Sequence, residues 1–358
     1  MPAITSTPQY LLASNLSAVF VKTQTSLGVF DDPLGGSSPF TTAIRVVGTP
    51  KFSPRGAGII QRADVMTPWG GNQSSKTGGL GWDISFTTEL FWQLGQTYDG
   101  TLATLTQLAP LFLASPWSIS NPANDDAQLA VQPLFFAREE RFPSPGVPIP
   151  FSVQPFSIVY EETGGKRFRA YDCVCVPKLS WEYGQKVSIE WTVKGKWMDV
   201  DDSSGAEPGY VAAATEPPIV GVNCTLSLTP YFDNVNAVSK VTVDTGWAIN
   251  DVADFRETYG FGLGFINLAA SPSIELDVAD LTETAEPDWT DAQANTISGP
   301  LTLTLTVGSY NITFTLANAQ PAVFPTPGEL NSYRTNTVKF QGIPDSSTSV
   351  MTWTFEGV

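Results

Sequence analysis

The chain has 358 residues, 42% of them hydrophobic and 11% aromatic, enough apolar material for more than one core and too much for a disordered protein. Its formal charge is −16 and it contains no histidine. The charge excludes tight electrostatic binding to nucleic acid, which depends on Lys and Arg neutralising phosphates, and no apolar run reaches the about 18 residues of a membrane-spanning helix.

Residues 1–40 open with MPAITSTPQYLLASNLS and carry no basic residue before Lys22, which does not fit a secretory signal and predicts an exposed arm. Strands are expected at Val46–Phe52 and Trp82–Phe91, separated by the Gly-rich segment WGGNQSSKTGGLG at 69–81. The spacing of Leu102, Leu105, Leu108 and Leu111–Phe112 predicts one helix over Thr101–Ala114, bent at Pro110. Residues 116–150 are rich in Pro, Asn and Ser and read as long loops around a strand near Leu129–Phe136. Further strands are expected at Val153–Tyr160, Arg167–Val176 and Lys186–Lys194, followed by an acidic, Gly/Pro-rich run, Asp199–Pro218. This predicts an arm at 1–40, a domain at 41–205 with an insertion at 116–150, a linker at 206–218 and a second domain at 219–358.

The second half repeats the strand signal at Cys224–Pro230, Ser239–Asp244, Ser273–Val278, Leu301–Val307, Tyr310–Leu316 and Thr335–Gln341, with a short helix expected at Asp251–Tyr259. LTLTLTV at 301–307 alternates strictly, which predicts one buried face and one hydroxyl-rich face. Two segments, 164–195 and 308–342, share a plan. Each opens on glycine, breaks at prolines and a central glycine (Gly184, Gly328), and closes on glycine (Gly195, Gly342). GLGW at 79–82 and GLGF at 262–265 precede them. Shared order points to a diverged tandem duplication.

The charge is uneven: residues 1–205 hold 15 Lys/Arg against 18 Asp/Glu, and residues 206–358 hold 4 against 17. Three cysteines, with Cys173 and Cys175 alternating on one strand face, suit neither a disulfide framework nor a zinc site. They read as buried thiols in a reducing compartment.

Most chemistry is struck out. Without histidine there is no Ser-His-Asp or Cys-His arrangement and no His-containing zinc site. Gly260-Phe-Gly-Leu-Gly264 lacks the following helix of a dinucleotide site and reads as a flexible turn. Asp199-Val-Asp-Asp-Ser-Ser-Gly205 has its glycine one place late for a calcium loop, with Tyr210 where a glutamate belongs. Glu139-Glu140 and Glu161-Glu162 are adjacent acids whose side chains point to opposite strand faces, unlike a glycosidase pair. No enzyme, cofactor or metal is expected.

Geometry remains. Long hairpins with open edges invite aggregation unless paired, and a ring of subunits supplies the partner by closing a barrel. Hairpins 164–195 and 308–342 are expected to line its channel. Lumen candidates are Asp172, Lys178, Glu182, Lys186, Glu190 and Lys194 from the first, and Asn311, Asn318, Glu329 and Lys339 from the second. Ring-to-ring contacts are expected from the arm with Tyr10 and from Trp69, Gln73 and Lys76.

TPKFSPRGAGIIQRADV at 49–65, GLGWDISFTTEL at 79–90 and VSIEWTVKGKW at 187–197 resemble the first half of a long, duplicated tail tube protein of non-contractile, long-tailed bacteriophages. SKVTVDTGWAIN at 239–250, SIELDVADL at 273–281 and NTVKFQG at 336–342 are similar to its second half. The resemblance implies an all-β fold with minor helix, in which two tandem β-sandwich-like tube domains close into a ring barrel on assembly. It further implies trimeric rings stacked in a virion tail assembled in the host cytoplasm, with tape-measure, tail-tip and terminator proteins as partners. Double-stranded DNA would pass through without tight binding. The lumen is then expected to be electronegative, with Lys178, Lys186 and Lys194 neutralised by Asp172, Glu182 and Glu190 or turned into neighbouring subunits. Alternatives are a capsid or decoration β-sandwich, or a carbohydrate-binding protein using Trp69 or Trp117 as a sugar platform.

Overall fold

The computed structural model describes residues 18–26, 28–35, 43–44, 46–56, 59–61, 75–77, 80–89, 108, 110–115, 117–120, 127–131, 154–162, 166–202, 224–228, 238–249, 252–253, 261–262, 272–279, 299–307, 310–330, 333–343 and 350–357. The first half contains Ala18–Thr23 (β1), Ala43–Ile44 (β2), Val46–Gly56 (β3), Ile59–Gln61 (β4), Ser75–Thr77 (β5) and Leu80–Glu89 (β6). Trp117–Ser120 (β7) and Ala127–Val131 (β8) follow, then Phe156–Glu161 (β9), Lys166–Glu182 (β10) and Ser188–Asp202 (β11). The second half contains Cys224–Leu228 (β12), Val238–Asp244 (β13), Val252–Ala253 (β14), Phe261–Gly262 (β15) and Ser273–Ala279 (β16). It ends with Gly299–Val307 (β17), Tyr310–Leu330 (β18), Tyr333–Gly342 (β19) and Met351–Gly357 (β20).

Among the described residues, sixteen strands join one antiparallel sheet that does not close into a barrel. One pairing order occurs in it twice. The first half runs β3-β6-β11-β10-β9-β1, and the second runs β13-β16-β19-β18-β17-β12. Each half also inserts a two-stranded ribbon between its first two strands, β4-β5 in one and β14-β15 in the other. The halves join where Lys178–Glu182 of β10 pair with Lys240–Asp244 of β13. Beyond the repeat, β20 pairs with β18 and carries the β8-β7 hairpin.

Period-two alternation sets the layers. Ile189, Leu179, Val243, Ile274 and Phe340 lie opposite one another on neighbouring strands and are fully buried. Across a flat sheet β10 and β18 would be roughly 19 Å apart, at ~4.8 Å per strand. Instead the Trp181 ring stacks on Phe314 at 5.5 Å, and Phe314 stacks on Trp353 at 4.8 Å. The sheet therefore curls over one hydrophobic cluster fed by both halves. At the other end Trp82 stacks on Trp197 at 4.4 Å, beside Phe52 and Phe168.

The expected strands are present, and several expectations need correction. The arm predicted at 1–40 contains β1, whose Val19, Phe20 and Val21 are buried between β2 and β9. Prolines do not break the hairpin strands: β10 runs through Pro177 and β18 through Pro321, Pro325 and Pro327. Pro177 sits where β10 has a strand neighbour on one side only, a place that tolerates a missing N–H. Gly184 does turn the first hairpin, at φ +74, but Gly328 lies inside β18 opposite Thr335, one rung short of the tip pairs. Helix is described at Leu108 and residues 110–113, Pro110 included, and residues 101–107 and 109 lie outside the described set. Within Asp251–Tyr259, Val252–Ala253 is strand and not helix, pairing with Phe261–Gly262 of the expected glycine turn. GLGW enters β6 at Leu80 and Gly262 of GLGF lies in β15, while Gly79 and residues 263–265 lie outside the described residues. Of the strand expected near Leu129–Phe136, residues 129–131 lie in β8 (Ala127–Val131) and 132–136 lie outside the described residues. Among the described residues no helix is long and apolar enough to cross a membrane.

Candidate assembly face

The side of the sheet opposite the core is polar, and register organises its charges. Lys178 stands between Glu190 of β11 and Asp244 of β13. That row continues through Ser273 and Gln341. On a parallel row Lys240 stands between Glu182 and Asp277, and Thr337 donates to Asp277 Oδ1 at 2.6 Å. Between these rows, Lys339 faces Glu275. Lys194 faces Asp83, whose Oδ1 also meets Arg55 Nε at 3.4 Å. The rows cross the junction of the halves without interruption.

The sequence-predicted lumen residues divide accordingly. Lys178, Glu182, Lys186 and Glu190 are exposed, while Lys194 and Lys339 are half-buried. Glu190 does face Lys178, as expected. Lys186, however, pairs with Glu89 at 2.8 Å, and Glu182 faces Lys240. Asn311 is half-buried between Thr306 and Glu356, and Asn318 accepts the Ile343 N–H on its carbonyl at 2.8 Å. Glu329 lies opposite Arg334 near the hairpin tip. Lys76 lies on the β4-β5 ribbon opposite Ile60, and Trp69, Gln73 and Tyr10 lie outside the described residues. Asp83, Glu89, Lys240, Asp244, Glu275 and Asp277 were missed. Alternation marks them as polar-face residues, but only the register names their partners.

Asp172 belongs elsewhere. It sits in a bulge of β10 at φ +48 with 1% of its surface exposed. Its Oδ2 meets Lys196 Nζ at 2.9 Å, and its Oδ1 accepts from the Gly28 N–H at 2.8 Å and from Gln24 Nε2 at 3.1 Å. Gln24 Oε1 accepts the Asp172 N–H in return, at 2.7 Å. This clasp ties the segment after β1 to β10 and β11. In the same segment the Thr25 N–H and hydroxyl hold the Asp31 carboxyl below its ordinary value, through bonds of 2.6 and 3.0 Å.

The other singled-out groups have structural surroundings. Glu161 is buried and paired with Arg167 at 3.1 Å. Asp199, Asp201 and Asp202 end β11, where Arg169 binds the Asp199 carbonyl and the Asp201 carboxylate. Cys173 and Cys175 are buried free thiols. Burial pushes both thiols up, and the charges of Asp172 and Cys175 add to the rise at Cys173. Among the described residues no group of three Cys, Asp or Glu side chains gathers as a metal site. Trp82, Trp181, Trp191, Trp247 and Trp353 are buried, so these five indoles are not sugar platforms. No protein-family profile and no curated protein matches this chain.

Proposed function

We propose that this chain is a structural subunit in which two tandem tube domains act as successive segments of a ring, three chains completing each ring. Stacked rings would form the tail tube of a long-tailed bacteriophage, the conduit for its genome. The observation that carries the reading is the pairing order that occurs twice, with the halves joined edge to edge by β10 and β13. A chain built this way already contains one junction between segments, and three copies would need three more of the same kind.

The polar face suits a conduit wall. Lys178, Lys194, Lys240 and Lys339 each face a carboxylate across the strands, so phosphates meet little uncompensated positive charge along these rows, and bound counterions have little to exchange for there. Such exposed pairs contribute only about 0–1 kcal/mol each to stability. In this reading their role is to cancel charge. Electron microscopy of the purified protein tests the function. Stacked annular rings or tubes support it. Closed shells would move the chain to a capsid or decoration role, and monomers at every concentration and salt condition would refute assembly altogether.

A further inference from the structure

On β10 the edge facing away from β11 is shared by two strands. β9 covers Arg167–Cys173, and β13 covers the hairpin-proximal residues Lys178–Glu182. On β18 the corresponding edge is covered by β17 as far as Ala319, which also pairs with Gly342 of β19 on the opposite side. From residue 321 to residue 330, among the described residues, no strand pairs with β18 on the β17 side. The place filled by β13 in the first half is open in the second.

The counterpart of β13 in the pairing order is β3. Among the described residues β3 pairs only with β6. Its outer edge is long for an edge strand, with Lys51, Ser53 and Pro54 exposed and Val47 47% exposed. An open edge of that length can receive another strand, while Lys51 and Pro54 keep it from pairing indiscriminately. We propose that β3 of a second copy of this chain fills the open edge of β18, antiparallel, reproducing between copies the β10·β13 junction found within one. The proposal deepens the ring reading above and names the strands that close it.

The internal junction also fixes the register. Gly195 lies within β11 and Gly342 ends β19; both are buried, and with the two strands aligned on them Glu190 matches Thr337 and Lys194 matches Gln341. Their partners then match as well: Lys178 with Thr326, Asp83 with Ser273, and Ser53 with Asp244. The observed pair Lys178·Asp244 therefore transposes to Thr326 opposite Ser53 of the neighbour, and Ser180·Thr242 to Gly328 opposite Lys51. Because the two edges are different surfaces, the contact is head-to-tail and closes only as a ring.

The test is disulfide trapping in the full chain carrying both Ser53→Cys and Thr326→Cys, with Lys51→Cys plus Gly328→Cys as a second pair. Directly opposed strand residues bring their Cβ atoms within disulfide reach. Oxidation should convert either variant to a covalent ladder ending at the trimer on a non-reducing denaturing gel. The unaltered chain and each single variant should give no ladder. Circular dichroism and cooperative unfolding verify that each variant folds. Absence of a ladder from folded variants that still form rings in the microscope overturns the strand assignment but leaves the ring reading standing. Absence of both rings and ladder overturns the two together. A dimer from Ser53→Cys alone would show β3 pairing with itself, which also overturns the proposal.

Discussion

Lys196 Nζ lies 2.9 Å from Asp172 Oδ2, and 9% and 1% of the two side chains remain accessible to solvent. Breaking a buried pair from one side costs about 3–5 kcal/mol, because the remaining charge is left without a partner. Lys196→Met should lower stability by about that amount in urea unfolding. Asp172→Asn keeps an acceptor for Gln24 and Gly28 and tolerates positive φ, so it should cost less than Asp172→Ala. The double variant Asp172→Asn/Lys196→Met should lose less than the sum of its parts. Strict additivity would mean that the two charges do not interact.

The buried glycines Gly195 and Gly342 offer a second check. A Cβ at Gly195 would sit 2.5 Å from Cys173 Sγ, and one at Gly342 would sit 2.6 Å from Val350 Cγ1. Gly195→Ala and Gly342→Ala should each cost about 1–3 kcal/mol by overpacking. Combining Gly195→Ala with Cys173→Ala should recover part of the loss. Gly184→Ala meets no atom within 4 Å and is strained only by φ +74, so about 1–2 kcal/mol is expected. Thermal unfolding of the four variants decides whether contact or conformation dominates at each position.

Thiol chemistry supplies the pH dependence. The folded state holds Cys173 and Cys175 well above their ordinary value of 9.0, chiefly by burial. A group raised on folding contributes its stability below the unfolded value and loses it as pH climbs toward the folded one. Stability should therefore decline above pH 9.0, with a shallower decline in Cys175→Ala. Residue-resolved alkylation at neutral pH should leave both thiols unmodified until the chain is unfolded. Rapid labelling of either in the native state would contradict their burial.

Phe20 tests the revised N-terminal boundary. Its side chain is fully buried, so Phe20→Ala should cost about 3–5 kcal/mol. An unchanged unfolding midpoint would return these residues to an exposed arm.

The sequence made individual strands legible because alternation is local. Thr302 and Thr304 are half-buried and Leu301, Leu303 and Leu305 buried, as LTLTLTV implies. Partnership is not local. Nothing near Lys178 says that Asp244 will lie beside it, and nothing near Lys186 selects Glu89 over Glu190. Asp172 looked like one more surface carboxylate until the bulge turned it inward toward Lys196. Pro177 and Pro327 read as breaks because their effect on a strand depends on which edge has a neighbour. Glycine bracketing did find the two hairpins, yet it misplaced the second turn at Gly328. Buried Phe20 was overlooked because β1 is short and lies in a polar N-terminal context.

Native mass measurement of the assembled protein tests the ring claim most directly. Two segments per chain and one shared junction predict rings of three copies, or stacks in multiples of three, whose images show six similar segments around the axis. Rings of six whole chains, or a single-copy mass under all assembly conditions, would contradict it.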